Sequence, residues 1–365
     1  MFLGFEDLSA FRRSVREFLS IPEASAPTIE MPSLATSTSA TNVYLDHLHW
    51  IGLAQARLGQ EAGAKYKDVY DVLLEGTKAG TIRVVLSAMS YTELHASVRS
   101  PSRRTDLADV MSELSRYWAI RPTSQLLEAQ FLQSLHGHLG RPTFPPQQVV
   151  FGRGLYWVYE GKEKRLGIRL PEGMQIHYID EVADEFQAFL EYCMLRGNNF
   201  ATEDGGLGYD ISPLVHTQEE RVAKDRELQQ MLASDPKLRA RLDDIIVARE
   251  LYHEIGPELP RLLAAAGISM ESFFHRGREW ITKFMMDLPI IAVNAAIRDQ
   301  TMRAANRYLV INDLRDLGHL SVAVPYCDIV VTDRDAASAI RRAGLDKRLN
   351  TEVLSDLTML PAVVP

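Results

Sequence analysis

Short apolar runs alternate with helix-period segments over the first third of the chain. The runs Asn42–Asp46 and Ile82–Ser87, with a shorter one at Tyr117–Ile120, predict strands. Apolar residues recur at helical spacing over His47–Leu58, Lys65–Ala79, Tyr91–Ser97, Thr105–Arg116 and Ser124–Leu135. The same alternation returns near the C-terminus. There Pro289–Tyr308, Asp313–Val324 and Asp335–Arg342 predict helices, and Asp328–Thr332 and Glu352–Ser355 predict strands. Strands spaced by helices predict a parallel α/β sheet with helices on both faces, because parallel strands need crossover connections.

Between these two stretches the pattern breaks, at Gly137. Phe151–Leu170 mixes aromatic residues with glycine and reads as a small hairpin, and Asp180–Leu195 reads as an amphipathic helix. Asn198–Ser212 is glycine-rich and reads as a loop. Thr217–Ile255 is long, charged and helical, with an interruption or cap near Asp235-Pro236, and Leu259–Met286 adds more helix. The N-terminus carries an amphipathic helix over Phe5–Leu19, then a Pro/Ser/Thr-rich linker. The predicted organisation is a helix and linker over 1–41 and the first half of an α/β domain over 42–136. A mostly helical insertion follows over 137–287, and the second half of the domain over 288–365.

Composition narrows the classes. The chain has 365 residues, 46% hydrophobic and 24% charged, a globular balance. No run approaches the ~18 consecutive apolar residues of a membrane span, so no membrane association is expected. Glu6 and Asp7 fall where a secretory signal would be basic. Two cysteines, Cys193 and Cys327, without metal-ligand spacing, point to a reduced, cytoplasmic setting. The net charge of −8 argues against sequence-independent adhesion of the whole surface to nucleic acid, while leaving room for a local basic groove.

The acids change the picture most. Asp46 ends the first apolar run, Glu93 opens a helix after the second, Asp316 lies in a later helix and Asp333 ends the last buried run. Parallel strands set such residues along one edge of the sheet, where open α/β folds place ligands. Two carboxylates ~4 Å apart repel by roughly 4 kcal/mol at an effective dielectric of 20, which a shared proton or a divalent cation relieves. Taken singly, each acid also reads as a helix cap.

The ordered set resembles the PIN-domain nucleases. Val-Tyr-Leu-Asp46, Tyr-Thr-Glu93-Leu and Asp316 with Ala323 in its helix match that family's first three acids. Thr332-Asp333 then follows an apolar strand as the fourth, with Asp335 its rival. The resemblance covers about residues 42–135 and 289–355. It implies a three-layer α/β/α fold with a central, mainly parallel sheet, and a metal-dependent endonuclease, with RNA the expected substrate. By resemblance Asp46, Glu93, Asp316 and Asp333 are catalytic and hold Mg²⁺ or Mn²⁺. Thr332, Asn312, Asp313, Asp335 and His319 stand as possible additions to the site. The chain departs from the family at His49, where a small polar residue is common, and the insertion and N-terminal arm have no counterpart there.

In the insertion, Arg276, Arg278 and Lys283 accompany Phe273, Phe274 and Trp280, a mixture that can bind single-stranded nucleic acid. The favoured reading of the segment is a helix core with a solvated basic face. The alternative to an enzyme is a catalytically silent PIN-like module that binds RNA or a protein, and a protein partner or homo-oligomer fits either reading. Other enzyme classes fit less well. Leu48 occupies the position of a dehalogenase-like second Asp, phosphate-loop and zinc-protease patterns are absent, and Gly205-Gly206-Leu207-Gly208 does not open a helix after a strand.

Overall fold

The computed structural model describes residues 2–4, 40–142, 149–165, 167–169, 183–197, 212–303 and 309–364. The predicted helix at Phe5–Leu19, the linker after it and the glycine-rich segment at Asn198–Ser212 lie outside the described residues. Eight strands are described: β1 (Phe2–Gly4), β2 (Thr41–Leu45), β3 (Ile82–Val85), β4 (Trp118–Ile120), β5 (Phe151–Arg153), β6 (Gly167–Arg169), β7 (Ile329–Val331) and β8 (Glu352–Leu354). The protein has a three-layer α/β/α fold with a central, mainly parallel sheet. A large set of additional helices expands it.

Two compact units are distinguished. The first comprises Met1–Pro122, Phe151–Pro213 and Asp356–Pro365; the second comprises Thr123–Val150 and Leu214–Ser355.

In the first unit, β2 and β3 pair in parallel, with Asn42 opposite Arg83 and Tyr44 opposite Val85. Val43, Tyr44 and Leu45 are at most 1% exposed, so β2 is covered on both faces, as its unbroken apolar run requires. Helix α1 (His47–Arg57) leaves β2 through Asp46, and α2 (Ala88–Ser97) leaves β3 through a Ser87–Ser90 capping box. Helix α3 (Pro101–Ser115) starts on proline, whose fixed φ suits the first helical turn. Close approach of α1 to the segment Glu61–Tyr66 demands Gly63, where a Cβ would stand 2.2 Å from the Ala56 backbone nitrogen.

The structure departs from the predicted hairpin at Phe151–Leu170. β5 instead pairs antiparallel with β4, and residues 155–160 form a short helix. Leu155, Tyr156, Trp157 and Val158 are all buried, which gives the run its strand-like appearance. Gly154 (φ +82°) and Gly161 (φ +62°) admit the left-handed turns that start and stop that helix. Helix α4 (Ala183–Arg196) brings Glu191 beneath Gly154. A Cβ there would meet the Glu191 carboxylate at 2.4 Å, and the same carboxylate accepts the Leu155 amide at 2.9 Å.

In the second unit, β7 and β8 pair in parallel and every residue of β7 is buried. Helix α5 (Ser212–Ser234) ends at Asp235, whose side chain caps the next turn by accepting from Lys237 N, beside Pro236. Helix α6 (Leu242–Glu250) continues into a π-helical turn, Leu251–Ile255. Helices α7 (Pro289–Arg303), α8 (Ile311–Tyr326) and α9 (Arg334–Arg342) complete the unit. Leu232, Leu242, Ile246, Ala295, Met302 and Leu309 form one apolar cluster joining α5, α6 and α7. Beside it lies a buried charge network. Asp225 accepts both forks of Arg249 (2.7 and 3.0 Å) and one from Arg298 (2.7 Å), while Arg298 Nε stands 2.6 Å from Glu250. Among the described residues no single helix is long and apolar enough to cross a membrane.

Candidate metal centre

Asp46 sits where the sequence sets it, at the end of β2. Its Oδ1 accepts the His47 amide at 2.6 Å, so it caps α1, and it is 7% exposed. Glu93 lies in the second turn of α2 and is 6% exposed, among Tyr91, Thr92 and Leu94, all fully buried. His47 Nδ1 stands 3.7 Å from Glu93 Oε2. The fields of the two acids overlap on Tyr44. Burial first, then the charges of Asp46 and Glu93, hold its phenol well above the ordinary range.

His319 lies mid-way along α8 and is 1% exposed. One ligand atom of Asp46 and one of Glu93 lie within 4.8 Å of each other, and both residues are buried. Two carboxylates at that spacing can chelate a divalent cation. Burying charged acids without compensation is costly, and a cation supplies it. The donor set thus fits a divalent metal.

Asp316 precedes His319 by one turn on α8, on the same helix face. With Asp313, Asp333 and Asp335 it lines a small cavity whose wall includes Gln300 and Thr301 of α7. Two of these acids also perform local work. Asp313 accepts the Val310 amide at 2.7 Å, and Asp333 accepts the amides of Asp335 and Ala336 at 2.6 and 2.9 Å, capping α9. A carboxylate has two oxygens and about four acceptor directions, so capping leaves capacity for a further ligand. Thr332 is fully buried, and its amide donates to Leu354 O at 2.9 Å, which pins the end of β7 to β8. The side chain of Asn312 lies outside the described residues.

His319 is buried three residues after Asp316 on α8, the spacing that sets the two on one helix face. His49, the departure noted above, is buried on α1 at 8% exposure.

The basic–aromatic segment of the insertion divides. Phe273 and Phe284 are fully buried, and Trp280 stacks on Phe284 with 5.4 Å between centroids. Arg276 lies 4.7 Å over Trp280, and Arg278 donates to Asp244 at 2.9 Å. Phe273 and Phe284 build core here, Phe274 is exposed, and the exposed cations lie along the rim.

The chain matches no protein-family model, no curated protein and no solved structure.

Proposed function

We propose that the protein is a PIN-like, divalent-metal-dependent endonuclease that hydrolyses phosphodiester bonds in RNA. The observation that carries the proposal is the pair of buried carboxylates Asp46 and Glu93, which offer ligand atoms within 4.8 Å of each other. The α/β/α fold and the order of the acids along the chain support it. Asp46 and Glu93 hold the cation in this reading, and Mg²⁺ or Mn²⁺ suits such oxygen donors. A cation bound there supplies an activated water and neutralises charge on the phosphodiester during in-line displacement. His47, against Glu93, orients that carboxylate. Thr332 fixes the strand end from which Asp333 projects.

A silent binding module is the second reading, favoured by the hydrogen bonds through which Asp46, Asp313 and Asp333 cap helices. One experiment separates the two. Mn²⁺ is titrated into wild type, Glu93→Gln and Asp46→Asn, with thermal stability and cleavage of a labelled single-stranded RNA as readouts. The expected outcome is a Mn²⁺-dependent rise in Tm with cleavage in wild type, both lost in Glu93→Gln and in Asp46→Asn. Undiminished Mn²⁺-dependent cleavage by Glu93→Gln would sink the assignment.

A further inference from the structure

A second constellation lies in the first unit, at the amino-terminal ends of β2, β3 and β4. Asn42 on β2 is in register with Arg83 on β3, and Trp118 on β4 is in register with Arg153 on β5. A bridge between Leu86 and Ala119 joins β3 to β4. Residues directly opposite across a strand pair share a face. The Arg83 guanidinium stands 4.1 Å over the Trp118 ring and 5.6 Å over Phe151, and that of Arg153 stands 4.6 Å over Trp118. Asn42 Oδ1 accepts from Arg83 Nη1 at 3.1 Å, which fixes the plane of that guanidinium.

The third cation arrives by unusual backbone. Arg116 (φ +49°) and Tyr117 (φ +61°) are consecutive non-glycine residues in the left-handed region. That conformation is strained for L-residues and persists where surrounding structure over-determines it. Tyr117 is fully buried, its amide donates to Ser115 Oγ at 3.1 Å and its carbonyl accepts from Gly154 N at 2.9 Å. Arg116 stands two residues before Trp118, at the turn that enters β4. The three cations feel one another: burial first, then Arg116 and Arg83, lower the Arg153 pKa to about 10. A fold that gathers like charges on a rigid aromatic platform favours any dianion that comes between them.

We infer that Arg83 and Arg153, stacked on Trp118, form with Arg116, at the turn into β4, a binding site for a phosphate group. Guanidinium forks match phosphate oxygens in bidentate geometry, and partly buried charges are screened less by salt than exposed ones. The site stands on residues separate from Asp46 and Glu93 and does not rest on the nuclease reading. Asn42 lies four residues before Asp46, so about 13 Å of extended strand separates the two positions.

The test uses the full-length protein in EDTA, which prevents metal-dependent cleavage. Inorganic phosphate is compared with chloride at matched ionic strength, by thermal shift and by tryptophan fluorescence. A 5′-phosphorylated RNA oligonucleotide and its unphosphorylated twin form the second pair. Phosphate is expected to raise Tm above chloride. Arg116→Gln and Arg153→Gln should each weaken phosphate binding by about tenfold, the loss of one charge-assisted contact. Lys78→Gln, at an exposed position elsewhere, should bind as wild type does. Preference for the phosphorylated oligonucleotide assigns the site to a terminal phosphate; equal binding of the twins, tighter than inorganic phosphate, assigns it to the backbone. Absence of any phosphate effect over chloride in every arm overturns the inference, as does an unchanged response in Arg116→Gln, which serves if Arg153→Gln fails to fold.

Discussion

His47 touches both acids of the first unit: its amide donates to Asp46 at 2.6 Å and its Nδ1 stands 3.7 Å from Glu93 Oε2. Adjacent positions in the chain thus tie the end of β2 to the second turn of α2. A group that orients a ligand without binding the ion is worth about 10–100-fold in metal affinity. His47→Ala is therefore expected to weaken Mn²⁺ binding by about 10–100-fold while Tm in EDTA changes little. Calorimetric titration reads the first quantity and a melt without metal reads the second. Unaltered Mn²⁺ affinity would show that the contact does no orienting.

Glu191 gives a pH dependence of definite sign. Burial first raises its carboxyl from an ordinary 4.5 to about 7, against the opposing hydrogen bonds from Leu155 N and Gln187. The folded state holds this proton more tightly than the unfolded chain. The associated stability is therefore fully present below pH about 4.5 and is lost as pH rises through about 7, a change on the order of 3 kcal/mol. Glu191→Gln keeps an uncharged side chain of similar shape. Its urea-unfolding free energy should vary less between pH 5 and pH 8 than that of wild type, which should fall. Parallel pH profiles for the two proteins would remove Glu191 as the cause.

Asp225 neutralises two arginines at once, and Arg249, Glu250 and Arg298 beside it are at most 8% exposed. Removing one partner of such a pair leaves a buried charge uncompensated, which costs about 3–5 kcal/mol. Asp225→Asn should destabilise the second unit by that order, seen as an earlier urea transition. A double change, Asp225→Asn with Arg298→Met, should recover part of the loss. Additive losses in the double variant would mean that Asp225 and Arg298 act independently.

Most elements were legible because their apolar periods were clean. β2, β3 and β7 rest on the short apolar runs Val43–Leu45, Val84–Leu86 and Ile329–Val331, and α1, α2, α8 and α9 begin within three residues of their predicted starts. Asp46 and Glu93 were legible as candidates because an acid beside an apolar run is conspicuous. Period alone failed at Leu155–Glu160, where four consecutive buried side chains imitate a strand and only Gly154 and Gly161 dictate a helix. Asp225 escaped notice for the opposite reason: it lies on a helix among charged neighbours, where an acid reads as solvated until tertiary packing covers it. Glu191 stands instead among Phe189, Leu190 and Cys193, and its burial beneath Gly154 follows only from tertiary packing. Arg83 and Arg153 are distant in sequence, and strand register reveals that both stack on Trp118.

The Asp225–Arg249–Glu250–Arg298 network also constrains how this chain can have changed length. Its carboxylates are carried by residues 212–255, whereas Arg298 belongs to the helix that returns the chain to the sheet. A shorter ancestor or descendant lacking that segment would need a different side chain at position 298, so the two changes must travel together in descent.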